Sequence, residues 1–234
     1  MMKAFWTLII SFIFVAQVAH GVVHRNQRTA STCSADLLSI EQNQIVSLPQ
    51  PETGSDAVVW KKYGQVFDEF YDVPAFSNKA NSRGGRYQCT ELAHRFTNEI
   101  FGIPTNLNMG LGNGDRVARN MSARFSGFVV NNSWTMNQDA TMRYFDRNCL
   151  RIVPGIGSVL SMRYPGVGHV GIVRDVVPLS DDQIEIFLFE QHGLKKARVG
   201  QELQRTRLIF TRDARGYWRN PNFVGVAQLV IVAQ

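Results

Sequence analysis

The sequence predicts an α+β fold, on two observations. The first half holds one strongly periodic helix, from Cys89 to Phe101, and the second half is a succession of five short β-rich runs. Helices first and strands afterwards place helices against an antiparallel sheet, whereas alternation would mark a parallel one. The chain has 234 residues, 44% hydrophobic and 19% charged, which is enough apolar material for one sizeable core.

The elements follow in chain order. Residues 1–21, "MMKAFWTLIISFIFVAQVAHG", carry one lysine, an apolar run and small residues at Ala19 and Gly21, the pattern of an export signal peptide. The run is short for a membrane anchor, and no later segment is apolar enough to span a bilayer, so the expectation is a soluble protein, secreted or periplasmic. Residues 22–56 read as a polar N-terminal arm or linker, without periodicity and closed by "LPQPETGS". The domain proper is expected over residues 57–234, opening with the aromatic-rich "AVVWKKYGQVFDEFYDVPAFSN".

In the helix, Cys89, Leu92, Ala93, Phe96 and Ile100 recur at helical spacing and form one apolar face. Gly102 ends it and Pro104 prevents its continuation. "NLNMGLGNGDRVARNM" is a glycine-bearing loop before a short helix, Arg116–Met121; it lacks the preceding strand and the G-K-[ST] of a phosphate loop. Asn120 and Asn131 head N-x-S tripeptides, glycosylation acceptors only in a eukaryotic secretory pathway. The β-rich runs are "GSVLSMRY", "HVGIVRDVV", "QIEIFLFE", "TRLIFTR" and "VGVAQLVIV", separated by turn residues such as Pro165-Gly166 and Asn220-Pro221. In "QIEIFLFE", Ile184, Ile186, Leu188 and Glu190 share one face.

The net charge is +6, or +5 once Lys3 leaves with residues 1–21. The basic residues are scattered. No stripe of them alternates with aromatics, which argues against nucleic acid and fits an anionic surface such as a cell wall. Three cysteines, an odd number, leave one thiol over in an oxidising compartment. If that thiol is Cys89, then Cys33 and Cys149 form a disulfide that tethers the arm; spacing does not decide the pairing. No C-x-x-C is present, so the cysteines fit no compact zinc motif.

A thiol at the start of a helix gains from the unpaired N–H groups and the helix dipole, which favour thiolate. As a nucleophile it needs a histidine to take its proton, and that histidine needs a polar partner. Of five histidines, His20 lies in the signal and His24 in the arm, and His94 sits roughly 140° around the helix from Cys89, which leaves His169 and His192. His169 opens the run "HVGIVRDVV" directly after a glycine-rich turn, and the next run ends in Glu190. If these are antiparallel neighbours, the start of one lies beside the end of the other, and Glu190 can orient His169. Singly, each has a plainer role: Cys89 as a small buried hydrophobe, His169 as a satisfied strand end, Glu190 as a solvated edge charge. Their combination on helix start, strand start and strand end points to cysteine catalysis.

The blocks "RYQCTELAHRF", "GHVGIV" and "FEQHG" resemble the signature blocks of the cysteine, histidine-dependent amidohydrolase/peptidase (CHAP) family, most closely its glutathionylspermidine-amidase branch. "VPAFSN" and "VGVAQLVIV" are similar to that branch too, and the resemblance spans about residues 57–234. It implies a papain-like α+β fold with Cys89 as nucleophile, His169 as general base and Glu190 as orienting carboxylate. The Cys89 N–H would hold the oxyanion, with Gln88 or Tyr87 as second-donor candidates, and no metal or organic cofactor is required. Two positions depart from the family. His192 stands where Asn is usual, and Gly157-Ser158 stands where Gly-Asp is usual. The chain has no room for the synthetase domain that accompanies glutathionylspermidine amidases. Export and positive charge redirect the expected substrate to peptidoglycan, cut at the lactyl–L-Ala amide or within the peptide. The alternative function is a wall-binding module of the same fold without turnover.

Overall fold

The computed structural model describes residue 33 and residues 35–50, 57–78, 87–105, 110–164, 166–191 and 201–232. Residues 1–21, expected as an export signal, and His192 lie outside them. A single helical turn, α1 (Ala35–Leu38), precedes three short strands, β1 (Val58–Trp60), β2 (Val66–Phe70) and β3 (Val73–Phe76). Two helices follow, α2 (Cys89–Phe101) and α3 (Val117–Phe125). The remainder is strand: β4 (Val129–Val130), β5 (Ala140–Asp146), β6 (Val159–Met162), β7 (His169–Ser180), β8 (Gln183–Phe189), β9 (Gln201–Leu203), β10 (Thr206–Arg212), β11 (Trp218–Arg219) and β12 (Phe223–Ile231).

Eight strands pair antiparallel in one sheet, in the order β11-β10-β8-β7-β6-β12-β5-β4. The hairpin β2-β3 and the pair β1-β9 stand apart from it. Helix α2 packs against β7 and β3, and α3 against β5, β12 and β6. An aromatic stack of Phe70, Phe96 and Phe189 joins hairpin, helix and sheet. One apolar cluster holds the helices and the residues facing them, such as Val170, Ile172 and Leu229. A second holds the other face, from Leu160 and Val173 to Phe210 and Phe223. Burial on both faces explains why β8 is buried from Ile184 to Phe189 rather than on alternate residues. The fold is α+β, as predicted from the sequence. No helix among the described residues is long and apolar enough to cross a membrane.

Helix α2 has the predicted limits, with Gly102 in the left-handed conformation closing it through a bond from its N–H to Asn98. Its buried face is wider than predicted and includes His94 and Thr97, while Ile100 is only partly covered. Helix α3 begins one residue later than the predicted Arg116 and runs on to Phe125, burying Val117, Ala118, Met121 and Phe125. Part of the segment expected as a polar arm belongs to the packed body: Ile45, Val46 and Leu48 are buried, and the N–H groups of Val46 and Leu48 donate to Leu229 and Ile156. These three apolar side chains outweigh the polar composition around them. Cys33 and Cys149 form a disulfide with Cα atoms 5.3 Å apart, and Cys89 is the free cysteine.

Candidate active site

Cys89 is the first residue of α2. The chain enters that helix through an unusual backbone. Tyr87 has a φ of 58°, a left-handed conformation that costs a non-glycine residue roughly 1 kcal/mol. The buried Asn78 holds it there by donating from Nδ2 to the Tyr87 carbonyl at 2.6 Å, and the Tyr87 ring packs against Tyr63 and Phe76. Gln88 then takes an extended conformation as N-cap, with no side-chain cap hydrogen bond. The turn aims the sulfur at β7.

His169 opens β7, and β7 pairs antiparallel with β8, so that Ile172 faces Phe189. The strand start thus lies beside the strand end, as the sequence predicts, and Glu190 follows directly on Phe189. Nε2 of His169 lies 2.7 Å from Oε2 of Glu190, and both side chains are buried. The ring is also hydrogen-bonded to the sulfur of Cys89. Since Nε2 is taken by Glu190, Nδ1 is the nitrogen that faces the thiol. The three residues singled out in the sequence therefore meet in one chain of contacts.

The electrostatics favour the ion pair over the neutral pair. Burial pushes the Cys89 thiol up, but the His169 ring, by hydrogen bond and charge, and the Val170 N–H outweigh it, so the pKa falls below the ordinary 9.0. Burial alone would lower His169; Glu190 and Cys89 reverse that and raise it from 6.5 to about 10. Both shifts favour the thiolate–imidazolium form of the pair.

Residues that the sequence did not single out hold this arrangement. Thr206, at the start of β10, donates its hydroxyl to Oε1 of Glu190, so both carboxylate oxygens are occupied. Gln191 is fully buried and ties four groups together. Its Nε2 donates to the Gln88 carbonyl at 3.2 Å and to Glu91 at 2.7 Å, while its Oε1 accepts from the Phe76 N–H at 2.7 Å and from Arg95 at 3.4 Å. Arg95 is in turn paired with Glu91 at 2.8 Å and donates to the Pro74 carbonyl. Gln191, the neighbour of Glu190, thus clamps Gln88, the neighbour of Cys89. Gly114 packs directly on the His169 backbone; a Cβ there would lie 2.5 Å from the His169 Cα. Gln191 and Asn78 lie inside the blocks "FEQHG" and "VPAFSN", so their neighbourhood was readable though their bonds were not. Thr206 had no local signal.

The other sequence candidates fall as follows. His94 is buried on α2, where burial pushes its pKa down, and it does not perturb Cys89. Ser158 is buried and donates to Gln228 at 3.1 Å, a role in holding β6 to β12. Among the described residues no group of three His, Cys, Asp or Glu side chains converges as metal ligands do. A cavity of about 650 Å³ lies between Ile40, α3 and β5 and does not reach Cys89.

Comparison with protein-family models and with curated proteins returns no match to this chain.

Proposed function

We propose that this chain is an exported cysteine amidohydrolase or peptidase that cuts amide bonds in peptidoglycan. The observation that carries the reading is the position of His169, hydrogen-bonded on one side to the only free thiol among the described residues and on the other to a buried carboxylate. A thiol at a helix start against a histidine at a strand start is also the basis for reading the α+β fold as papain-like, in line with the CHAP resemblance. The Cys33–Cys149 disulfide supports export, because such bonds persist in oxidising compartments.

The mechanism runs as follows. The Cys89 thiolate attacks the amide carbonyl carbon. The Cys89 N–H, with Gln88 as second donor, receives the developing oxyanion. The His169 imidazolium gives its proton to the leaving nitrogen, the C–N bond breaks, and a thioester forms. Neutral His169 then takes a proton from water as the hydroxyl adds to the thioester. Collapse releases the acid and restores the thiolate–imidazolium pair. Glu190, fixed by Thr206, keeps Nε2–H directed away from the reaction and Nδ1 towards it. A substrate on a wall surface fits the net positive charge.

The test is incubation of purified cell wall with the wild type and with Cys89→Ala, reading new amino termini. The wild type releases them and the variant does not. Equal release by both, or wall sedimentation without product from either, contradicts the proposal.

A further inference from the structure

A second concave site lies at the start of α3, and its chemistry is unlike that of the first. It is a polar cleft of about 360 Å³ lined by four arginines, Arg116, Arg119, Arg147 and Arg163. Its floor includes Tyr144, whose ring lies 6.0 Å below the Arg119 guanidinium. Two carboxylates also line it, Asp115 and Asp146. Asp146 is already engaged, accepting at 2.9–3.0 Å from the backbone and side chain of Asn148. Four cations against two anions leave the lining positive.

Arg95, Arg174, Arg205, Arg207 and Arg219 each have a carboxylate partner. Among the described residues, Arg116, Arg119, Arg147 and Arg163 have none, although they share one concavity and repel one another. Helix α3 begins after Arg116, whose side chain makes no cap bond; the Ser161 hydroxyl accepts from the Ala118 N–H at 3.0 Å, and the helix adds the remainder of its positive end. A set of forked donors converging on one small cleft, without an internal counter-charge for each, matches carboxylate or phosphate geometry. We infer that this cleft binds an oxyanion, the carboxylate or phosphate group of a ligand.

Its place in the sheet relates it to Cys89. His169 pairs with Met162, Met162 with Phe223, and Gly225 with Asp146, so the cleft runs from Arg163, beside Met162, to its far wall at Asp146, three strands along the same end of the sheet. At the usual strand spacing this is about 14 Å from His169. Asp115, on the cleft rim, touches Gly168, the residue before His169: a Cβ on Gly168 would lie 2.5 Å from the Asp115 Cβ. If the cysteine centre acts as proposed above, the anion sits at the remote end of an extended substrate. The binding itself does not depend on turnover.

The experiment measures binding with chemistry removed. Full-length Cys89→Ala is titrated by calorimetry at low ionic strength with inorganic phosphate in one arm and glutarate in the other. Saturable one-to-one binding of at least one probe is expected, weakened about tenfold or more by adding Arg147→Gln and Arg163→Gln. Arg151→Gln, whose guanidinium lies over Tyr217 outside the cleft, leaves it unchanged. Tighter phosphate binding identifies a phosphate ligand, and tighter glutarate binding a carboxylate. Absence of saturable binding of either probe overturns the inference, as does equal weakening by Arg151→Gln or indifference to the double substitution. Because no hydrolysis is read, failure here is separate from failure of the cysteine mechanism.

Discussion

Two sets of buried charges share strands β7 and β10 yet behave differently. One is the line Cys89–His169–Glu190–Thr206. The other comprises Asp68 with Arg174, at 2.6 Å, and Asp175 with Arg205, at 2.9 Å, with Gln50 also on Asp175. Adjacent residues divide between them, since Thr206 serves Glu190 and Arg205 serves Asp175. In the second set every anion faces a guanidinium, which keeps its charge at any working pH. In the first, an imidazole faces a thiol, and the proton between them can move. Burial is similar in both; what differs is whether the cation can give up its proton. Buried charge is thus structural on one stretch of these strands and chemical on the other.

The comparison can be broken at several points. The largest effect is expected from Cys89→Ala, which removes the attacking atom: wall hydrolysis should fall on the order of 10⁴-fold or more, with the melting temperature little changed. Glu190→Gln keeps the shape but replaces the acceptor of Nε2–H and withdraws the charge that raises His169. Hydrolysis should fall on the order of 10³-fold, and the alkaline limb of the pH profile should move to lower pH. In the wild type that limb should lie near 10, where the imidazolium loses the proton needed by the leaving nitrogen.

Substitution in the other set should affect stability instead. Arg174→Met leaves Asp68 buried without its cation and should cost about 3–5 kcal/mol by denaturant titration at neutral pH. Burial already raises the Asp68 pKa despite Arg174, so the unpaired carboxyl should take up a proton as pH falls, and the cost should shrink in acid. The reactivity of Cys89 should not change. The smallest effect is expected from Thr206→Val, about tenfold on kcat with a shifted pH profile; Thr206→Ser should restore both. If Thr206→Val lowered stability alone, Thr206 would belong with the structural set.

Much of this was legible in the sequence where a local pattern carried it. Helix α2 announces itself by periodicity and by Gly102, and the strands bearing His169 and Glu190 by their β-branched runs and turn residues. The hairpin β2-β3 was not legible, because its turn places Tyr71 and Asp72 at φ of 51° and 62° without the usual glycine. Tertiary contacts hold it: the Tyr71 ring packs on Phe70 and Trp134, and its hydroxyl donates to the Pro49 carbonyl. Strand β5, "ATMRYFD", mixes a charge and a tyrosine into a buried strand that only the sheet order explains. At the site, the meeting of Cys89, His169 and Glu190 follows from residue type and position. Thr206 and Gln191 do not, since their roles come from strand register and from partners about 100 residues away.

The central claim is that Cys89 and His169 form a thiolate–imidazolium pair. Its most direct test is the rate of Cys89 alkylation by iodoacetamide as a function of pH, in the wild type and in His169→Ala. The wild type should have its midpoint below pH 9.0, and the variant should lose that advantage, its midpoint moving up because burial and the Glu190 charge are then opposed only by the Val170 N–H. A wild-type midpoint at or above 9.0, unmoved by loss of the imidazole, would contradict the account.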